Sequence, residues 1–183
     1  VDVSVEGRSP DQNVGAIAGR LWAGSIDSCT VMGGRVALIP SKATTTSGNV
    51  GGVVGMLHRE ITFCLASDSV IGPNNSSVGG IVGRWGQPYA RINKCHSSGY
   101  ILGGNKANVG GIIGYSEGLD PIDSSSTSGT IAGGIGASVG GIAGYAYRTK
   151  IDSCSATGKV IGDSASQIGG ITGYSGTITH SIG

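Results

Sequence analysis

Val139-Gly140-Gly141-Ile142-Ala143-Gly144, followed by Tyr145, is the stretch on which the reading of this chain turns. The phrase begins again at Val14, Val50, Val78, Val109 and Ile168, so it fills residues 14–19, 50–55, 78–83, 109–114, 139–144 and 168–173. The steps between copies are 36, 28, 31, 30 and 29 residues. Self-similarity at a period near 30 marks a repeat architecture. Five of the six copies hold three glycines. A glycine inside a helix costs about 1 kcal/mol relative to alanine, so a helical repeat is excluded. The phrase is predicted to be a short strand, with glycines where backbones pack closely or turn.

A second phrase follows each glycine-rich one. It runs from Ile151 to Val160, with earlier forms starting at Ile26, Ile61, Ile92 and Ile122 and a shortened one at Ile178. Alternate residues Cys154, Ala156, Gly158 and Val160 are small or apolar, whereas Ser155, Thr157 and Lys159 are polar. Period two reads as a half-buried strand. Clusters such as Gly72-Pro73-Asn74-Asn75-Ser76-Ser77 read as loops, and the 36-residue step predicts a protruding loop around Pro40 to Gly48. A repeat of this kind buries its apolar row only against the same row of the next unit. The expected fold is therefore all-β: a single right-handed parallel β-solenoid over residues 1–183, of about six coils. The handedness follows from the rule for parallel crossovers. At about 4.8 Å per coil the rod is roughly 30 Å long.

Stacking predicts ladders of equal positions. Cys29, Cys64, Cys95 and Cys154 share one position, with Ser125 and Ser181 in the other coils. Cys154 stands two coils from Cys95, about 10 Å away and beyond disulfide reach. The expectation is a buried thiol ladder, with a Cys29–Cys64 or Cys64–Cys95 bridge as the alternative. No Cys-x-x-Cys pair or histidine cluster points to a metal, and no cofactor is expected.

Composition narrows the function classes. Glycine takes 36 of 183 positions without a Gly-X-Y period, which excludes collagen. The chain carries 12 basic and 11 acidic residues and no basic block, so neither nucleic acid nor anionic lipid is an expected partner. No apolar run approaches the roughly 18 residues of a membrane span. The first residues align with Ala156 to Gly162 and the last, Ser181-Ile182-Gly183, with Cys154-Ser155-Ala156. Strand edges at such ends recruit further strands. This predicts either a piece of a longer solenoid or subunits associating end to end in a filament.

The two phrases together resemble the GLUG repeat of bacterial surface adhesins and of the non-catalytic region of IgA-specific metallopeptidases. The residues that carry the resemblance are Val109-Gly110-Gly111-Ile112-Ile113-Gly114-Tyr115 and Ile151 to Gly158. It implies an exported β-solenoid, extracellular or at the cell surface, of bacterial or phage origin. Two copies depart from the pattern: Ala16 replaces the second glycine, and Asp68 the late one, so local distortion is expected there.

Three constellations bear on chemistry. Asp27, Asp123 and Asp152 share a repeat position, with Asn93 in the third coil. Asp123 and Asp152, about 5 Å apart on adjacent coils, would suit a retaining glycosidase pair, but a recurring Asp or Asn more simply caps a corner. His58, His96 and His180 hold unrelated repeat positions, and no zinc-peptidase motif is present. Tyr115, Tyr145 and Tyr174 directly follow their glycine-rich phrases, and Trp85 and Trp22 lie one and two residues beyond the equivalent places, Arg84 and Arg20. Stacking collects these rings on one edge, where aromatics bind sugar faces or anchor proteins. The outward positions Thr30, Leu65, His96, Ser126 and Ser155 are too mixed for an ice-binding threonine ladder. The expected function is non-enzymatic: an adhesion or structural rod whose partner is a glycan or a host surface protein. The alternatives are a filament subunit and a carbohydrate-active enzyme.

Overall fold

A computed structural model describes residues 3–40, 47–86 and 90–179. His180, Ser181 and most of the loop expected after Pro40 lie outside these residues. The described chain is all-β and winds as a parallel β-solenoid with a period near 30 residues. One coil runs Thr130–Gly133 on a first sheet, Ser138–Gly140 on a second, Ala143–Asp152 on a third and Ser155–Ala156 on a fourth. The chain then returns to the first sheet at Lys159–Gly162. The first and second sheets hold six strands and the fourth holds five, which makes about five full turns. Every pairing joins a strand to its counterpart one coil away, with Ile101, Ile131 and Val160 in register on the first sheet and Val109, Val139 and Ile168 on the second.

The apolar residues form two columns. Val36, Val70, Ile101 and Ile131 meet Val50, Val78, Val109 and Val139 between the first and second sheets. Ile61, Ile92, Ile122 and Ile151 meet Leu57, Ile81, Ile112 and Ile142 in a column bounded by the third and fourth sheets. Repetition makes this economical: one isoleucine position per coil fills one layer of core, and each layer is closed by the next.

The glycine-rich phrase is a corner, not the single strand that its pattern predicts. Val139 and Gly140 end a strand of the second sheet, Gly141 and Ile142 turn, and Ala143 starts the third sheet. Two glycine positions show why no side chain is tolerated. A Cβ on Gly111 would stand 2.0 Å from the carbonyl oxygen of Gly141 in the next coil. A Cβ on Gly114 would stand 2.3 Å from the backbone nitrogen of Val78 in the preceding coil. The corner is therefore built by backbone-to-backbone packing in both directions along the rod.

The second phrase also turns within itself. Ser28, Phe63, Lys94, Ser124 and Ser153 all adopt left-handed backbone, with φ between 48° and 53°. These residues follow the recurrent Asp, Asn or Thr and precede the cysteine position. The left-handed turn aims each N–H along the rod: Lys94 donates to the Asp123 carbonyl and Ser124 to the Asp152 carbonyl, both at 3.1 Å. In the first four of these corners one inter-coil hydrogen bond thus offsets a conformation that costs non-glycine residues roughly 1–2 kcal/mol.

The expected distortion near Asp68 has a local cause. In coils three to five the late position is Gly99, Gly129 and Gly158, and a Cβ on Gly129 would meet the Gly99 carbonyl oxygen at 2.0 Å. The first coil holds one extra residue here, and both Gly33 and Gly34 have positive φ. That rearranged corner makes room for the Asp68 side chain, which is 2% exposed. Its Oδ1 lies 2.8 Å from where a Cβ on Gly52 would be. Neither carboxylate oxygen has a hydrogen-bond partner.

Candidate functional site

The third sheet has an outward column in strict register: Arg20, Met56, Arg84, Tyr115, Tyr145 and Tyr174. The coil pitch brings the three tyrosine rings into a continuous stack. Tyr115 and Tyr145 have centroids 4.9 Å apart and planes 5° apart, and Tyr145 and Tyr174 are 4.6 Å and 3° apart. The Arg84 guanidinium lies 4.5 Å from the Tyr115 centroid and covers its other face. The rings of Tyr115 and Tyr145 therefore have neighbours on both faces. What they offer outward is ring edges and phenol hydroxyls, not the flat faces that sugar stacking needs. The Tyr115 hydroxyl donates to Glu117 at 2.7 Å. Burial, and then that bond, push the Tyr115 phenol up to about 12. Burial and the neighbouring Tyr174 raise Tyr145 as well.

Trp85 does not join this edge. It pairs in register with Leu57, directly after the outward Arg84, so alternation turns it inward, and it is 4% exposed in the core. Its indole nitrogen has no hydrogen-bond partner there. Trp22 obeys the opposite parity. Two residues past Arg20, it lies outward and is 62% exposed.

Trp22 is held by two neighbours that periodicity alone did not associate with it. The His58 ring centroid lies 4.6 Å from that of Trp22, tilted by 45°. The Arg20 guanidinium carbon lies 4.8 Å from the Trp22 centroid. Arg20 Nη2 and His58 Nε2 are 3.2 Å apart. A guanidinium can only donate, so Nε2 accepts and the neutral imidazole carries its proton on Nδ1. That nitrogen is buried without a partner. Burial, followed by the charges of Arg20 and Arg59, lowers the His58 pKa below its ordinary value. A signal for this cluster was available: His58 stands two residues past Met56, as Trp22 stands two past Arg20.

The remaining candidates occupy structural places. Asp123 and Asp152 are Cα partners on the third sheet. Asp123 faces Arg91 at 3.9 Å and Asp152 faces Lys150 at 3.0 Å, with about a quarter of each carboxylate side chain exposed. Ser124 donates to Asp123 at the left-handed corner. Cys64, Cys95 and Cys154 are buried and Cys29 half-buried, and all four are thiols, not half-disulfides. Each sulfur also lies within hydrogen-bond distance of a backbone carbonyl, as Cys154 does of Asp152 at 3.2 Å. Burial raises the Cys154 thiol to about 11. A hydrogen bond shared with Cys64, together with burial, raises Cys95. His96, on the outward column of the fourth sheet, lies 2.8 Å from the Ser126 hydroxyl through Nδ1. Among the described residues no three His, Cys, Asp or Glu side chains are placed to hold a metal ion.

Three comparisons bear on this architecture. No curated protein matches the sequence. The chain is similar in fold to the crystal structure of a candidate immunoglobulin A1 protease from Bacteroides ovatus, with a TM-score of 0.72 and 22% sequence identity. The match covers 97% of this chain and 57% of that one, so the present chain spans little more than half of its structural neighbour. The model of the GLUG motif matches residues 135–161, which begin at the turn before Val139 and end on the first sheet after the late glycine. The match to the GLUG motif thus spans most of one coil of this solenoid.

Proposed function

We infer that this chain is a non-enzymatic rod segment of an exported bacterial surface protein, presenting side-chain columns for adhesion. The observation that carries the reading is the register. Four sheets bring equal repeat positions into register from coil to coil, and the glycine corners and left-handed turns fix the pitch in backbone atoms. A scaffold of this kind is extended by adding coils, and its outward positions are free to vary. Its outward third-sheet columns, with Arg20, Trp22, Arg84 and the tyrosines, are where aromatic and cationic groups concentrate. The GLUG motif over residues 135–161 and the likeness to a solenoid from a Bacteroides protein support an extracellular setting. The partner is a glycan or a glycosylated host surface protein.

Beads coated with the folded chain should be retained under flow on mucin or epithelial monolayers more strongly than beads coated with the denatured chain. Equal retention of the two would overturn the reading.

A further inference from the structure

The rings of Tyr115 and Tyr145 have both faces covered, whereas Trp22 and the last ring of the stack, Tyr174, do not, and Trp22 is the more exposed of the two. Arg20 and His58 approach it to 4.8 and 4.6 Å and touch each other at 3.2 Å. Groups on opposite faces of an indole would be separated by about twice the stacking distance of either. Arg20 and His58 therefore share one side of the ring and leave the other open, in keeping with its 62% exposure. The ring is also fixed in place. His58, 4% exposed, lies between it and Gly86, where a Cβ would come within 2.4 Å of the imidazole. Glycine at that position in the third coil is what lets the imidazole lie beneath Trp22.

The surroundings are cationic. Arg20 and Arg59 are exposed, and neither forms an ion pair among the described residues, whereas Arg8, Arg35, Arg91 and Lys150 do. Arg20 spends one donor on His58 and keeps the rest of its planar fork for a carboxylate. An immobilised aromatic face with an adjacent unpaired guanidinium matches one ligand chemistry. The weakly positive C–H face of a pyranose meets the negative face of the ring, and a carboxylate on that sugar meets the fork.

We propose that Trp22 and Arg20, braced by His58, form a subsite for a carboxylated pyranose, the acidic sugar of a host glycan. The proposal rests on the adhesion reading and gives it a ligand class. The open face of Trp22 takes the sugar ring. Arg20 binds the carboxylate, with Arg59 adding positive potential. The stacked tyrosines lie outside the subsite.

Titration calorimetry of the purified chain with sialyllactose and with lactose tests it. Sialyllactose should bind about tenfold or more tightly than lactose. Trp22→Ala should weaken sialyllactose by about tenfold, whereas Trp22→Phe should keep most of the affinity. Arg20→Gln should reduce the preference for the acidic sugar to near parity without abolishing the weak binding of lactose. Circular dichroism melts show that each variant is folded. Equal affinity of the native chain for the two sugars, or unchanged binding in Trp22→Ala, would overturn the subsite. The two readings fail separately. Coated beads that adhere equally with Trp22→Ala, with no calorimetric preference, remove the subsite and leave adhesion standing. A chain that binds sialyllactose but does not retain beads removes adhesion alone.

Discussion

Replacing Asp68 by asparagine should remove a pH dependence from the stability of this protein. The carboxyl is 2% exposed, and neither oxygen has a partner. Burial pushes its pKa from 3.8 up to about 7. Between those two values the folded chain holds a proton that the unfolded chain has lost. Stability contributed by the protonated form is complete below pH 4 and is lost as the pH rises through 7. From pH 5 to pH 8 the change is about two pKa units' worth, or roughly 3 kcal/mol at 1.4 kcal/mol per unit. An asparagine amide cannot ionise and keeps the volume, so Asp68→Asn should lose this slope. The assay is urea denaturation at pH 5 and pH 8 for both proteins. The native chain should have a lower midpoint at pH 8 by an amount equivalent to roughly 3 kcal/mol more than the variant shows. Parallel pH profiles for the two proteins would refute the argument, because they would mean that the carboxyl is solvated or paired.

Further expectations follow from the same geometry. Gly111→Ala should cost about 3 kcal/mol or more, because its Cβ would meet the Gly141 carbonyl oxygen at 2.0 Å. Gly118→Ala, with nothing within 4 Å of the added atom, should change stability by no more than about 0.5 kcal/mol, both variants being compared with the native chain by urea denaturation. Ellman's reagent at pH 8 should modify half-buried Cys29 promptly and leave Cys95 and Cys154 unreactive until the chain is denatured. Equal rates at all four thiols would contradict the ladder. Acrylamide should quench Trp22 fluorescence strongly and Trp85 weakly, as single-tryptophan variants would report.

Much of the fold was legible because the repeat constrains it. The spacing of Val109, Val139 and Ile168 made them partners, and the cysteine ladder, with Ser125 substituting in one coil, fell out of the same alignment. The corners were not legible. Alternation of side chains continues through a turn, so Val139 to Gly144 reads as one strand although Gly141 redirects it. The left-handed residues were equally hidden, since Phe63 and Lys94 carry no sequence mark of positive φ. Placement of Trp85 failed on parity: one residue past an outward arginine is inward, and large rings on that row fill core. The Trp22 cluster joins coils one and two: Arg20 and His58 are 38 residues apart, and the shared offset of Trp22 and His58 past Arg20 and Met56 is the mark it leaves in the sequence.

The central claim is that equal positions on successive coils are direct neighbours along one parallel rod. Cysteine pairs test it most directly, in a background with the four native cysteines replaced by serine. Asn108 and Ser138 are Cα partners on the second sheet, and Gln167 follows Ser138 in the next coil. Cysteines at 108 and 138 should form a disulfide readily in the folded chain, as their Cα atoms stand about 4.8 Å apart. Cysteines at 108 and 167, two coils or about 10 Å apart, should not. A disulfide from 108 to 167 formed in preference to one from 108 to 138 would contradict the solenoid.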